Sequence, residues 1–313
     1  MDALLALVPP ADRVLVRAKA RTLAADAPRG NGLYRAGAVA VAVAAMAPWL
    51  SRDRLAVLHR YCRWTVALDA YLDGAGHRAA AGLWTEFAGI RAELAGYDRA
   101  GLLRGFEAAL DGAVASALAL RSLSGQVARG CAPAPSAEEY LDLASEDVNY
   151  RSVAIALLLL CGFDGRLGTV EPALAWACRA VRLANDLATA GKDTQEGRLN
   201  VLGLRWRSGR PVVGFDLQRE IERCVSVHTR LLGRVPDVVS ARALANSLHM
   251  AIGLFTMSGP AREGAEPCAC EPFRCTGRCR SSRAIRSAAW TRSCATPAMR
   301  SSGWTSGCSG RTW

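Results

Sequence analysis

Apolar residues recur along this chain at helical intervals. Between Ser51 and Asp73 the sequence reads SRDRLAVLHRYCRWTVALDAYLD, with apolar positions at Leu55, Leu58, Cys62, Val66 and Leu72. Steps of three and four residues place such side chains on one helical face. Ser51 is suited to cap the start of this helix, and Gly74 and Gly76 to end it. The same spacing predicts further helices over 81–97, 100–123, 136–160, 169–191, 214–233 and 237–256. Clusters of Gly, Pro and Asp join them, among them CAPAPSAEE and GFDGRLG. No alternating run of β-branched residues is bounded by turns, and no internal repeat is visible. The expected fold class is therefore all-α, a single-domain antiparallel helical bundle.

Composition agrees with a globular chain: 51% of the 313 residues are apolar and 21% charged. The apolar stretches singled out as longest, Ala36–Leu50 and Val153–Cys161, are too short to span a bilayer. Asp2 and the Pro9-Pro10 pair stand where a signal peptide needs a basic start and an unbroken apolar run. A cytoplasmic protein without stable membrane insertion is expected. The net charge of +11 would point to nucleic acid were it evenly spread. From Arg262 onward, however, nine Arg face three acids, so +6 of that charge lies in the tail and no nucleic-acid partner is expected. Cys62, Cys131, Cys161, Cys178 and Cys224 are scattered singly, as reduced thiols are.

The tail differs from the body. Residues 263–313 lack Leu, Val, Asp and Tyr but hold six Cys and three Trp. Two segments are therefore expected: a helical domain over 1–258 and an anomalous, disordered or frameshifted tail over 259–313. A GC-rich gene read out of frame from about Met257 would give this composition, and resequencing would check it. The alternative is a zinc site at Cys268, Cys270, Cys275 and Cys279, on a spacing that matches no standard knuckle or ribbon.

Two constellations carry chemistry. Asp69 and Asp73 are four residues apart, so on a helix both carboxylates project from one face and can share a hard cation. Their neighbours Trp64, Val66, Leu68, Tyr71 and Leu72 are apolar, although a solvated helix end would also hold such a pair. In ARAVRLANDLATAGKDTQEGRLN, Asn185, Thr189 and Asp193 recur at i, i+4 and i+8. One face then offers an amide oxygen, a hydroxyl and a carboxylate, a low-charge cage suited to magnesium. Arg182 and Lys192 stand beside it, and cations beside a metal cage suit a diphosphate.

NDLATAGKD resembles the second metal motif of the bacterial class I terpene synthases, and DAYLD lies where that family carries its aspartate-rich motif. The likeness covers roughly residues 35–256 and points to the short diterpene synthases. It implies the class I terpenoid synthase fold with the metal site between two helices. Asp69, Asp73, Asn185, Thr189 and Asp193 would hold Mg2+, three ions in the closed complex, with Mn2+ able to substitute. Lys192 would touch the diphosphate. EYLDLASEDVNYRSVAIALLLL resembles the helix that breaks beside the site, with Arg151 as diphosphate sensor. Arg182, Tyr150, Trp64 and Tyr71 are assigned to substrate binding, with Trp176 a further wall residue. The implied reaction is ionisation of a prenyl diphosphate to a cyclic or rearranged terpene. C20 is favoured over C15, and a bicyclic labdane-type diphosphate would come from a class II cyclase or a linear one from a prenyl diphosphate synthase. A homodimer is an expected assembly.

Three departures matter. Position 70 is Ala where many members carry a second Asp; Arg151 lies 34 residues before Asn185, nearer than the family's sensor; and no Arg-Tyr pair follows the last predicted helix. Two alternatives stay open. Squalene and phytoene synthases use DxxxD twice, which would require Asp where Thr189 stands, and a catalytically impaired helical binding protein would release no diphosphate.

Overall fold

The computed structural model describes residues 2–25, 36–74 and 80–258. Met1–Ala261 is one compact unit. The anomalous tail, its cysteines included, lies outside the described residues.

The fold is an all-α bundle. Its helices are α1 (Asp2–Ala6), α2 (Arg13–Ala25), α3 (Ala36–Met46), α4 (Arg52–Leu72), α5 (Ala80–Ala95) and α6 (Leu102–Ala128), then α7 (Ala137–Asp147), α8 (Tyr150–Cys161), α9 (Glu171–Gln195), α10 (Gly214–Leu232) and α11 (Val238–Ser258). Among the described residues there is no β-strand, only isolated bridges at Ser136, Arg205 and Pro211.

Amphipathicity sorts the helices by depth. Val39–Met46 of α3 and Ala154–Leu160 of α8 are buried without a break, as helices apolar all round must be. Against α9 and α11 packs α10, a helix with one apolar stripe, which buries Leu217, Ile221, Cys224, Val225, His228 and Leu232. Part of α11, Val238–Thr256, is long and apolar enough to cross a membrane by length and composition, and it outruns the two stretches singled out in the sequence. Here it packs on α3, α8 and α9 with Ala243, Leu244, Ser247 and Leu248 buried.

Three local devices position the site. Ser51 caps α4, its hydroxyl accepting from the Arg54 amide at 3.4 Å. The segment predicted as one helix over 136–160 breaks between α7 and α8. Asn149 there adopts φ 53°, the left-handed region that a short amide side chain tolerates. Its side-chain oxygen accepts from the Ser152 hydroxyl. Finally, α9 runs four residues past its predicted end, to Gln195, because Gly191 in its last turns does not break it. It stops at Gly197 (φ 65°), with the Gly197 amide on Thr194 O (3.3 Å) and the Arg198 amide on Asp193 O (2.8 Å). This paired closure satisfies the last carbonyls and turns the chain back over the helix end.

Candidate functional site

A cavity of about 1200 Å³ opens between α4, α6, α7, α9 and the loop after α9. The end of α4 contributes Asp69, Leu72 and Asp73, which share one face at i, i+3 and i+4. From α9 come Arg182, Asn185, Thr189, Lys192 and Asp193, spaced down one side over three turns. Tyr140 and Asp147 line it from α7, Arg121 and Arg129 from α6, Glu196 and Arg198 from the loop, and Phe255 from α11.

The α9 side is held by its own hydrogen bonds. The Thr189 hydroxyl lies 2.6 Å from Asp193 Oδ2 and 3.0 Å from the Asn185 carbonyl. The Asn200 amide donates to Asp193 Oδ2 and to Asp186 O, both at 2.8 Å. The Asn185 side chain has no hydrogen-bond partner among the described residues. Beneath the face, the buried Arg182 guanidinium meets Asp147 Oδ2 and Asp186 Oδ1, each at 2.8 Å, and donates to Tyr140 Oη. Burial by itself would discharge Arg182, but Asp186, Tyr140 and Asp147 outweigh it and hold the guanidinium firmly protonated.

The α4 side is organised differently. Asp69 stands exposed at the cavity mouth, and its side chain makes no hydrogen bond or ion pair among the described residues. Desolvation, with the nearby charges of Asp73 and Asp147, pushes its carboxyl up to about 6 against the partial relief of Arg198 and Lys192. Asp73 caps α4 and accepts from Arg198 Nη1 at 2.9 Å across the cavity. Arg121 donates to the carbonyls of Leu72 and Asp73.

The cavity thus brings together seven of the residues singled out in the sequence: Asp69, Asp73, Arg182, Asn185, Thr189, Lys192 and Asp193. Five others are placed elsewhere. Arg151 Nη2 is 2.6 Å from Glu146, and the same guanidinium pairs with Glu171, at the far end of α9. Fourteen residues of helix, about 21 Å, separate Glu171 from Asn185. Trp64 is buried, donates to Leu83 O at 2.7 Å and stacks on Phe87. It belongs to the stripe Val57, Tyr61, Trp64, Leu68, about 140° round the helix from Asp69. Tyr71, two residues past Asp69, does not line the cavity either. Tyr150 is buried with its hydroxyl 2.6 Å from Ser247 of α11. Trp176 lies under Arg223 of α10.

Sequence reasoning missed Tyr140, Asp147, Arg121, Arg129, Arg198 and Phe255. The signal available for Asp147 and Tyr140 was their position in the segment expected to break beside the site. Arg198 could be found only by knowing that Gly197 turns the chain back.

Could these residues hold a metal? Among the described residues, no three His, Cys, Asp or Glu side chains converge as a metal site. The donors are instead two carboxylates on one wall and an amide, a hydroxyl and a carboxylate on the other, all oxygen ligands or carriers of one. That chemistry fits a hard divalent cation that keeps several waters.

No protein-family model and no curated protein matches the chain. Among solved structures it is similar to the SVS_A2 protein, a point mutant from ancestral sequence reconstruction, at 15% identity and a TM-score of 0.51, over 82% of this chain and 87% of that one. At that identity the likeness speaks to fold alone.

Proposed function

We propose that this chain is a class I terpene synthase, a magnesium-dependent lyase that ionises a prenyl diphosphate, with C20 favoured. The observation that carries the reading is a single cavity lined by both acidic motifs, Asp69 with Asp73 and Asn185 with Thr189 and Asp193, and by five basic side chains. Those bases are Arg121, Arg129, Arg182, Lys192 and Arg198. Mg2+ bound by these oxygen donors would neutralise and polarise the diphosphate oxygens.

The chain's own groups do the rest. Lys192 and the cavity arginines bind the diphosphate's charge, and Tyr140 and Asp147 orient Arg182 towards it. When the C–O bond breaks, the electron pair leaves with diphosphate and the allylic carbon is left cationic. Leu72, Leu118, Leu120, Leu199 and Phe255 then offer walls without a nucleophile, and the Phe255 ring can face the cation. Arg182 takes the place given to Arg151 in the sequence reading, because it lines the cavity and Arg151 does not. A squalene synthase-like condensation is less well served, since Thr189 supplies a hydroxyl where that chemistry requires a carboxylate.

The test offers C10, C15, C20 and bicyclic C20 diphosphates to the purified full chain, with and without Mg2+, and reads diphosphate release and extracted hydrocarbons. Magnesium-dependent release with a terpene product is expected. Folded protein that releases no diphosphate from any of them would move the chain to the binding-protein class.

A further inference from the structure

Arg198 is the basic group that joins the two walls. Its backbone is fixed on both sides. Its own amide donates to Asp193 O at 2.8 Å, the next amide, Leu199, donates to Ser124 Oγ at 3.1 Å, and Asn200 is tied to Asp186 and Asp193. Only the side chain is left to move. Its guanidinium reaches over the cavity to Asp73 Oδ2 at 2.9 Å and rests on Glu196 Oε2 at 2.9 Å. The Asp73 and Arg198 side chains are 28% and 39% exposed, so water screens their pair and its breaking costs little. Arg121 meanwhile holds the Asp73 backbone carbonyl, so the end of α4 keeps its place when the carboxylate is released.

We propose that Arg198 is a further diphosphate-binding residue held in reserve by Asp73. In this structure it is the counter-cation of Asp73, and a divalent ion bound there would free it for the diphosphate. The inference rests on the reading of the cavity as a diphosphate site. Its physical basis is competition: guanidinium and divalent cation seek the same Asp73 oxygens, and the doubly charged ion wins them. The displaced guanidinium stays anchored beside Glu196, where an anion carrying several negative charges is the better partner. The second wall contains no such exchange, because Asp193 is held by the neutral groups of Thr189 and Asn200.

The experiment measures binding without turnover, on the full chain. Mn2+ uptake is followed by electron paramagnetic resonance, and inorganic diphosphate binding by calorimetry in saturating Mn2+, for the parent, R198A and R198K. R198A is expected to bind Mn2+ about threefold more tightly, having lost the competing pair. It should bind diphosphate about tenfold more weakly, having lost one charge-assisted contact. R198K, which keeps the charge, should stay within about threefold of the parent for diphosphate. Helical circular dichroism confirms that each variant is folded. A folded R198A with either affinity unchanged overturns the exchange while leaving the cavity's function intact. A parent that takes up neither Mn2+ nor diphosphate overturns the metal reading and this one with it.

Discussion

The two walls of the cavity solve the problem of holding acids near one another in opposite ways. On α9 the acidic group is settled before any ligand arrives. Asp193 is fixed by Thr189 and Asn200, and the charges beneath it close into a cluster of Arg182, Asp147, Asp186 and Tyr140. On α4 nothing is settled: Asp69 has no partner among the described residues, and Asp73 borrows one from the opposite wall. The difference follows from what meets each helix end. Asp193, in the last turn of α9, is reached by Asn200 of the returning loop, whereas the carboxylates in the last turn of α4 are met, among the described residues, only by Arg198 at Asp73. One wall is preorganised, and the other, in our proposal, responds to a cation.

If that contrast is right, damage to the α9 wall should cost most. Removing one preorganised donor, as in Asp193→Asn, is expected to lower magnesium-dependent diphosphate release on the order of 100- to 1000-fold. Asp73→Asn, on a wall already shared with Arg198, should cost about a tenth as much on the same scale. Equal losses in a diphosphate-release assay would break the asymmetry.

Stability should divide the walls in the same order. Arg182→Leu would strand Asp186, which is fully buried, and destabilise the fold by about 3–5 kcal/mol. Arg198→Ala removes a solvent-screened pair and should cost under about 1 kcal/mol. Urea unfolding of both variants decides this, and a similar loss in each would show that the α9 cluster is no more buried in energetic effect than the α4 one.

The sequence disclosed the preorganised wall more fully than the responsive one, and for the same reason. A run of oxygen donors at i, i+4 and i+8 is a helical face wherever the helix packs, so Asn185, Thr189 and Asp193 could be read directly. The bundle was equally legible, because three- and four-residue apolar steps fix helices without knowledge of their partners. What depends on rotation about a helix or on a break was not. Trp64 and Asp69 share α4, yet Tyr61 and Leu68 fix Trp64 in the core stripe, so proximity in sequence misassigned it to the cavity. Arg151 lies close in sequence to the break, but starting a new helix at Tyr150 sends its side chain to Glu171 and leaves Asp147 beside Arg182.

That break is itself a moderate test. Asn149→Ala should destabilise by about 1 kcal/mol, from the left-handed backbone and the lost contact to Ser152. Asn149→Gly relieves the backbone and should cost less. If Ala and Gly are equivalent in thermal unfolding, the backbone conformation contributes nothing and the side-chain contact alone holds the break.

The smallest effect examines the responsive wall most directly. In the folded chain the Asp69 carboxyl is raised from its ordinary 3.8 to about 6 by desolvation and by Asp73 and Asp147. Between those values the folded chain holds more protons than the unfolded one, so this group's contribution to stability falls as pH rises through the window and is least favourable above it. Asp69→Asn removes the charge. The variant should therefore melt slightly above the parent at about pH 7.5, and the two should converge near about pH 4, where the parent's carboxyl is protonated in the folded chain. Adding Mg2+ should reverse the order, since the ion stabilises only a chain that binds it, by about 1.4 kcal/mol at tenfold its Kd. A variant that melts below the parent without metal would mean that Asp69 is already satisfied, and the distinction between the walls would fail at the residue on which it most depends.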